Sequence, residues 1–361
     1  MNPTARRLRC HPAFAALLVV ASFCAPAQAD AQAESQPQAD DQAALDWVVE
    51  SGMRQPHMRG AEAAILVVSA ATGEVVYERN ADRLMVPASN MKVITAAAAL
   101  SVLGPDYRFE TIVSTDAPEL GATLSGNLYV RGTGDPSLVS EELWKLAESI
   151  RVLGIERIEG DLVLDAAYFD SANTTSLTVA NGDRAYHART GALSLNFNAV
   201  AVHTTPSERR GAPAVVELAP GTSFVELRGG VSTGRSRSRS NLSVRRTFED
   251  GKNVITVSGS VPAGSGTRVH YRSLDDGLGY FGAVLQEFLE SAGVEFGGTV
   301  ALGVAPEDAR TLLVHKSKPL SLIVRDLNKF SNNFVAEQLL KAMAAHVYGA
   351  PGTTAGGAAV L

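Results

Sequence analysis

A serine and a lysine three residues apart, Ser89 and Lys92, form a pair whose types and spacing could do chemistry. On a helix this spacing places both side chains on one face, about one turn apart. A buried lysine in the first turn holds its proton less tightly, because burial and the helix dipole both disfavour the charged form. The neutral amine could then take the proton of the serine hydroxyl, whose oxygen could attack a carbonyl carbon. The pair predicts nucleophilic acyl transfer, and a serine that only caps the helix is the alternative.

The surrounding residues predict the helix that would hold this pair. Pro87 marks its start, residues 93–103 are apolar or small with one serine, and Gly104-Pro105 marks its end. Since the pattern is apolar on all sides, we expect the helix to be fully buried. A capping box would have Glu or Gln at the position of Lys92, so the lysine favours the chemical interpretation.

A second group of polar residues lies in LNKFSNNFVAEQLL, residues 327–340, where Ser331 and Asn333 fall between two helical patterns. Taken alone, this stretch is typical of a turn followed by an N-cap for a helix that begins near Phe334. Together with the earlier S-x-x-K, however, an S-x-N motif is the signature of penicillin-interacting enzymes with an active-site serine.

The N-terminal residues 1–29 have the pattern of an export signal. Three arginines are followed by an apolar stretch at 13–23 and by the small-residue sequence Ala27-Gln28-Ala29. We therefore expect a secreted, periplasmic protein. Cys10 and Cys24 both lie in this segment, so the exported chain would have no thiol, and disulfides and cysteine-liganded metals are excluded.

Without the three arginines of the signal, the net charge of −6 becomes −9, which argues against a nucleic-acid partner. About 330 residues then remain, more than a single core of about 250 to 300 residues holds, so we expect at least two domains. Residues 30–43 are polar and low in complexity, and we expect a disordered leader there.

The rest of the chain predicts an α+β fold. A β-hairpin is expected at 63–80, short strands dominate 105–270 with one helix at about 137–153, and helical patterns return from Leu278. We expect a discontinuous catalytic domain formed by 44–104 and 271–361, interrupted by a strand-rich insertion at 105–270.

From about residue 44 onward the chain resembles the D-alanyl-D-alanine carboxypeptidases/endopeptidases of the low-molecular-mass class C penicillin-binding proteins. Besides the two motifs, the resemblance lies in the phrases LGPDYRFET, NLYVRGTGDPSL, IEGDLVLDAAYFD and ALSLNFNAVAV. The serines of the two motifs are 242 residues apart, which matches the long insertion of this family. Serine β-lactamases share the motifs but have a much shorter separation.

This resemblance implies a fold and a set of roles. The catalytic domain would be the antiparallel sheet flanked by helices of the penicillin-binding and serine β-lactamase proteins. Ser89 would be the nucleophile and Lys92 the general base, while Ser331 would relay a proton and Asn333 would bind the substrate amide. Asp165 would select peptides with a free side-chain amine, although an Asp at a strand end is also typical of a turn.

The resemblance also implies peptidoglycan peptides as substrates, β-lactams as inhibitors and no cofactor. The family's third motif, K-T-G, is not found after Ser331, so we expect a chain that is truncated at its C-terminus. Two hypotheses follow. The chain is a serine carboxypeptidase/endopeptidase, or it is a non-catalytic peptidoglycan-peptide-binding protein or an inactive truncated fragment that lacks the K-T-G motif.

Two other patterns in the sequence concern binding. GRSRSRSNLSVRR, residues 234–246, could bind anionic wall polymers or could simply be an exposed loop. The seven histidines are scattered without a close pair, so no metal site is predicted.

Overall fold

The computed structural model describes residues 39–172 and 182–361. The described chain forms two compact units, divided between Met91 and Lys92. The predicted export signal and residues 30–38 of the predicted leader lie outside the described residues. The last five leader residues, 39–43, are the start of the helix Ala39–Met53.

Within the described residues the α-helices are α1 (Ala39–Met53), α2 (Met91–Val102), α3 (Ser140–Val152), α4 (Gly277–Ser291), α5 (Leu320–Phe330), α6 (Asn333–Tyr348) and α7 (Thr354–Val360). None of them combines the length and the apolar character needed to cross a membrane.

The strands of the first half are β1 (Ile65–Val68), β2 (Val75–Arg79), β3 (Glu110–Thr115), β4 (Thr123–Leu124), β5 (Leu128–Gly132), β6 (Arg157–Ile158), β7 (Leu162–Asp165), β8 (Ala199–Thr205) and β9 (Val215–Ala219). Those of the second half are β10 (Val225–Gly229), β11 (Ser232–Gly234), β12 (Ser243–Glu249), β13 (Lys252–Ser258), β14 (Ser260–Pro262), β15 (Arg268–Ser273), β16 (Glu295–Phe296), β17 (Val300–Leu302) and β18 (Arg310–Lys316).

The first unit contains α1 and an antiparallel hairpin of β1 and β2, as the sequence predicted. The turn between the strands is closed by the Ser69 N–H, which donates to the Glu74 carbonyl oxygen at 2.8 Å. Gly73 has a φ of +76° there, a conformation that glycine adopts without steric cost. An ion pair between Arg79 and Glu50 connects the hairpin to α1.

The second unit is built around a five-stranded mixed sheet with the order β17-β7-β5-β3-β18. Its strands β3, β5 and β7 come from the predicted insertion, whereas β17 and β18 come from the segment that follows residue 270. Smaller sheets, with the orders β10-β13-β12 and β15-β8-β9, contain most of the remaining strands of the insertion. The sheet thus combines strands from both sides of the predicted boundary at 270/271.

Helix α3 lies within the helix predicted at 137–153, and its apolar residues are spaced as on one face of a helix. Its buried residues recur at helical spacing, and acidic residues in the first turn and Arg151 in the last turn complement the helix dipole. The buried residues of α3 are Leu143, Leu146, Ala147 and Ile150. They pack in one core with apolar residues of α4 and of the sheets.

Helix α2 buries only one of its faces, so the prediction of complete burial is wrong. Its buried side chains are Lys92, Thr95, Ala96 and Ala99, at the spacing of a single stripe. Val93 is 47% exposed and Ile94 51% exposed. The buried stripe joins a core formed mainly by α5 and α6, and this core covers one face of the helix.

Helices α5 and α6 meet at a two-residue connection. Pro319 precedes α5, whose buried residues Leu320, Ile323, Val324 and Leu327 form one stripe. The helix ends at Ser331, which has a φ of +54°, and the Asn332 side chain caps α6 by accepting from the Val335 N–H. The stripe therefore anchors α5, the helix that ends at the exposed Ser331, to the core.

We expect Leu327→Ala to lower the free energy of unfolding by about 2 to 5 kcal/mol, because the side chain is fully buried and its removal leaves a cavity. Leu322→Ala is the matched control, since Leu322 lies on the same helix and is 38% exposed. Its effect should stay below about 1 kcal/mol. Urea unfolding followed by circular dichroism measures both, and equal losses would contradict the role of the buried stripe.

Candidate active site

Lys92 is buried in the second unit, with 8% of its surface exposed. Its Nζ donates to three oxygens of the connection between α5 and α6. These are the Ser331 carbonyl oxygen at 2.7 Å, the Ser331 Oγ at 3.1 Å and the Asn333 Oδ1 at 2.5 Å. The structure thus brings together three of the residues singled out in the sequence, although 239 positions separate Lys92 from Ser331.

The conformation of Ser331 makes two of these contacts possible. Its φ of +54° lies in the left-handed region, which costs a non-glycine residue free energy. In this conformation the carbonyl oxygen and the hydroxyl of one residue both accept from Lys92. Asn332 caps α6, while its neighbours Ser331 and Asn333 contact the lysine.

Burial lowers the pKa of Lys92 from its ordinary value, because the charged amine loses hydration. The carboxylate of Glu337 acts in the opposite direction and raises that pKa by Coulombic attraction. Desolvation is the larger of the two effects, so the balance favours a neutral amine more than in a solvated lysine.

Glu337 is a residue that the sequence reasoning missed. It lies four residues after Asn333, on the same face of α6, and is only 7% exposed. Gln338, which is fully buried, and Lys341, which is 1% exposed, continue a polar group on this otherwise apolar helix. The sequence signal that could have identified Glu337 is the presence of polar residues within an apolar helical run. Charged residues are rarely buried in a protein unless they have partners, so such a run points to a polar site.

Ser89 belongs to the first unit and is exposed. It lies in a single 3₁₀ turn, Ala88–Asn90, after Ala88 with a φ of +45°. The Met91 N–H donates to the carbonyl oxygens of Ala88 and Ser89. The serine therefore stands in the turn that precedes α2, and its role as nucleophile stays a prediction.

Asp165 is held by the protein backbone. It ends β7 with 1% exposure, and its two carboxylate oxygens accept from the N–H groups of Ala167 and Ala305, each at 3.1 Å. This is the turn-forming role that the sequence left open. These backbone contacts account for the burial of Asp165 without a substrate. Its role in binding a substrate amine stays a prediction.

An open cavity of about 800 Å³ adjoins the Ser331–Asn333 turn. Alanines, Pro220 and four aromatic side chains contribute to its lining, and the aromatic residues are Tyr186, Phe197, Tyr271 and Phe330. The cavity could take a part of a ligand that extends beyond the polar turn.

The described residues contain no group of three or more His, Cys, Asp or Glu side chains that could hold a metal ion. The hydrogen-bonded residues Lys92, Ser331 and Asn333 offer an amine, a hydroxyl and an amide for chemistry. Such a set can transfer protons and hold an amide group.

The family model of the D-Ala-D-Ala carboxypeptidase 3 (S13) peptidases matches residues 45–361, and the chain belongs to this family. The predicted resemblance to D-alanyl-D-alanine carboxypeptidases is thereby confirmed.

Individual relatives agree with this assignment. A D-alanyl-D-alanine carboxypeptidase of Actinomadura sp. (strain R39) is 34% identical over an alignment of 322 residues that covers 84% of this chain and 57% of the relative. DacB of Haemophilus influenzae is 26% identical over an alignment of 307 residues that covers 83% of this chain and 63% of the relative. The chain thus spans less than two thirds of the length of either relative.

The fold is similar to that of penicillin binding protein 4 (dacB) from Haemophilus influenzae, with a TM-score of 0.70 and 26% identity over 83% of this chain and 66% of the other. A structure of that protein in complex with a β-lactam gives a TM-score of 0.67 at 25% identity, over 87% of this chain and 67% of the other. The predicted α+β fold is confirmed.

Proposed function

We propose that the full-length protein is a serine-type D-alanyl-D-alanine carboxypeptidase or endopeptidase that acts on peptidoglycan peptides through an acyl-enzyme. The observation that carries this proposal is the buried Lys92 amine, hydrogen-bonded to Ser331 and Asn333. Family membership supports the reaction class, and the spacing of Ser89 from Lys92 supplies the nucleophile.

In the first step Ser89 Oγ attacks the carbonyl carbon of the scissile D-peptide bond, and its proton passes to the neutral amine of Lys92. The backbone N–H of Ser89 donates to the oxygen that becomes negative. When the C–N bond breaks, the leaving amine takes a proton that Ser331 Oγ relays from the lysine. Water then hydrolyses the ester and restores Ser89, so that no group is consumed.

The amide of Asn333 is oriented for a second role. Its Oδ1 accepts from Lys92, so the Nδ2 group on the other branch is the one that can donate to a substrate carbonyl. The adjoining cavity leaves room for parts of the peptide away from the reacting bond. A β-lactam would follow the same first step, because its ring amide places a carbonyl carbon where the peptide bond would lie.

Covalent labelling of the full-length protein with a fluorescent penicillin tests the proposal, with mass spectrometry to locate the adduct and a chromatographic assay for released D-alanine. Labelling together with D-alanine release supports the enzyme. Reversible binding of a D-Ala-D-Ala peptide without either signal would instead support the non-catalytic binding protein.

We expect Glu337→Gln to move the acidic limb of the acylation rate to lower pH. The reaction needs a neutral Lys92, so its rate rises as the pH increases through the lysine pKa. Glu337 raises that pKa, and replacing its carboxylate with a neutral amide lowers the pKa further. The pH dependence of penicillin acylation measures the shift.

Glu290→Gln serves as the control, because Glu290 is an exposed carboxylate on α4. This variant should keep the parent pH profile. A limb that stays in place or moves to higher pH in Glu337→Gln would contradict the proposed influence of the carboxylate on Lys92.

A further inference from the structure

A group of basic side chains lies near residue 184 and on β12 and β15, next in sequence to Ala185 and Tyr271, which line the cavity described above. Arg268, His270 and Arg272 alternate along β15 and therefore share one face of that strand. Arg184 forms an isolated antiparallel bridge with Arg272, and Arg245 comes from β12. Three segments that are distant in sequence thus contribute cations to one place.

All of these residues except Arg268 line a cavity of about 750 Å³, which we call the arginine pocket. It is lined by basic residues, by Asp183 and by residues of β12, and the basic lining residues are Arg184, Arg245, Arg246, His270 and Arg272. The arginine-rich stretch 234–246 is divided by the fold. Arg245 and Arg246 line the pocket, whereas Arg235, Arg237 and Arg239 lie on an exposed turn.

Only part of the positive charge around the pocket is neutralised. Arg246 pairs with Asp275, and Arg272 pairs with Asp183 at 3.3 Å. Arg184, Arg245 and Arg268 form no ion pair with a carboxylate of residues 39–172 or 182–361. The whole chain has a net charge of −6, so this excess of cations is a local feature.

The excess of positive charge around the pocket affects the pKa of His270. Burial lowers the pKa of its imidazole, and the positive charges of Arg272, Arg268 and Arg184 lower it further. Its Nδ1 and the Nε of Arg268 are buried and have no hydrogen-bond partner among the described residues. Buried polar atoms of this kind normally have partners in native proteins.

We propose that the arginine pocket binds a phosphate group. Two guanidinium groups of the lining, those of Arg184 and Arg245, have no carboxylate partner among the described residues and can together hold an anion that presents several oxygens. The planar N–H forks of arginine match the oxygens of a phosphate in pairs. The same chemistry occurs in inorganic phosphate and in the phosphodiesters of an anionic wall polymer, so the experiment has to separate these sources. The inference does not depend on the proposed peptidase activity.

NMR titration of His270 in the full-length protein tests the proposal. We expect inorganic phosphate or a poly(glycerol phosphate) oligomer to raise the pKa of His270 in a saturable way, because a bound anion compensates the neighbouring guanidinium charges. Tighter binding of the oligomer would identify the polymer as the source, and tighter binding of inorganic phosphate would identify the free ion. Malonate serves as the comparison, since it carries two carboxylates.

Arg184→Gln and Arg245→Gln should each weaken phosphate binding by about tenfold, since each removes charged hydrogen bonds. Both residues are exposed, so their replacement should leave the fold intact. Arg237→Gln is the control on the exposed turn and should bind as the parent does. The proposal is wrong if neither phosphate ligand shifts His270, if malonate binds as tightly, or if Arg237→Gln weakens binding as much as the pocket variants.

Discussion

Ser89→Ala in the full-length protein is expected to abolish covalent labelling by penicillin and release of D-alanine. Alanine has no oxygen that could attack a carbonyl carbon, and loss of the nucleophile lowers kcat by roughly 10⁶-fold in the serine protease subtilisin. Since Ser89 is exposed in a short turn, the substitution should leave the thermal unfolding midpoint almost unchanged. Gel fluorescence after labelling, together with a thermal melt, measures both effects.

Ser101→Ala is the matched control for this variant, because Ser101 is an exposed serine on α2. It should label at the parent rate. If Ser89→Ala still forms an adduct, or if mass spectrometry places the parent adduct on Ser331, then Ser89 is not the nucleophile.

The second large effect is expected for Lys92→Arg. Guanidinium stays charged at every accessible pH and cannot accept the proton of Ser89, although it keeps the positive charge. Loss of a general base typically lowers the rate by about 10² to 10⁴-fold. Stopped-flow acylation by a chromogenic cephalosporin measures the loss directly.

Because Lys92 is buried, the test has to distinguish a loss of the base from a disturbed fold. The thermal midpoint of Lys92→Arg shows whether the larger side chain disturbs the fold. Lys329→Arg, at an exposed position of α5, is the control and should acylate normally. A folded Lys92→Arg protein with nearly normal acylation would refute the role of the lysine as base.

Local patterns were sufficient to predict the elements whose signals are local. The hairpin of β1 and β2 was predicted from two apolar runs around a glycine turn, and α3 from helical periodicity. The combination of S-x-x-K and S-x-N also predicted that Lys92, Ser331 and Asn333 belong together. That step used the resemblance to a family, since no local rule connects residues so far apart.

The features that were not predicted depend on contacts between distant parts of the chain. The pairing of β17 and β18 with strands of the insertion follows from a sheet assembled across more than a hundred residues. Likewise, the backbone contacts of Asp165 with Ala305 and the arginine pocket cannot be inferred from spacing along one segment. The apolar composition of α2 did not show which of its faces the core would cover, and Val93 and Ile94 lie on an uncovered one.

Lys92 donates to three oxygens of the Ser331–Asn333 turn, so the protonation state of the lysine affects the hydrogen bonds of that turn. An ammonium group has three N–H bonds, whereas a neutral amine has two and a lone pair. The neutral form therefore cannot donate to the Ser331 carbonyl, the Ser331 hydroxyl and the Asn333 amide at the same time. Each time the lysine loses its proton, at least one of these contacts must be released or reversed. Because the Ser331 hydroxyl oxygen alone among the three acceptor atoms carries a hydrogen of its own, it can turn that hydrogen toward the lone pair and reverse its contact. The direction of this one hydrogen bond would then report which step of the cycle the site has reached.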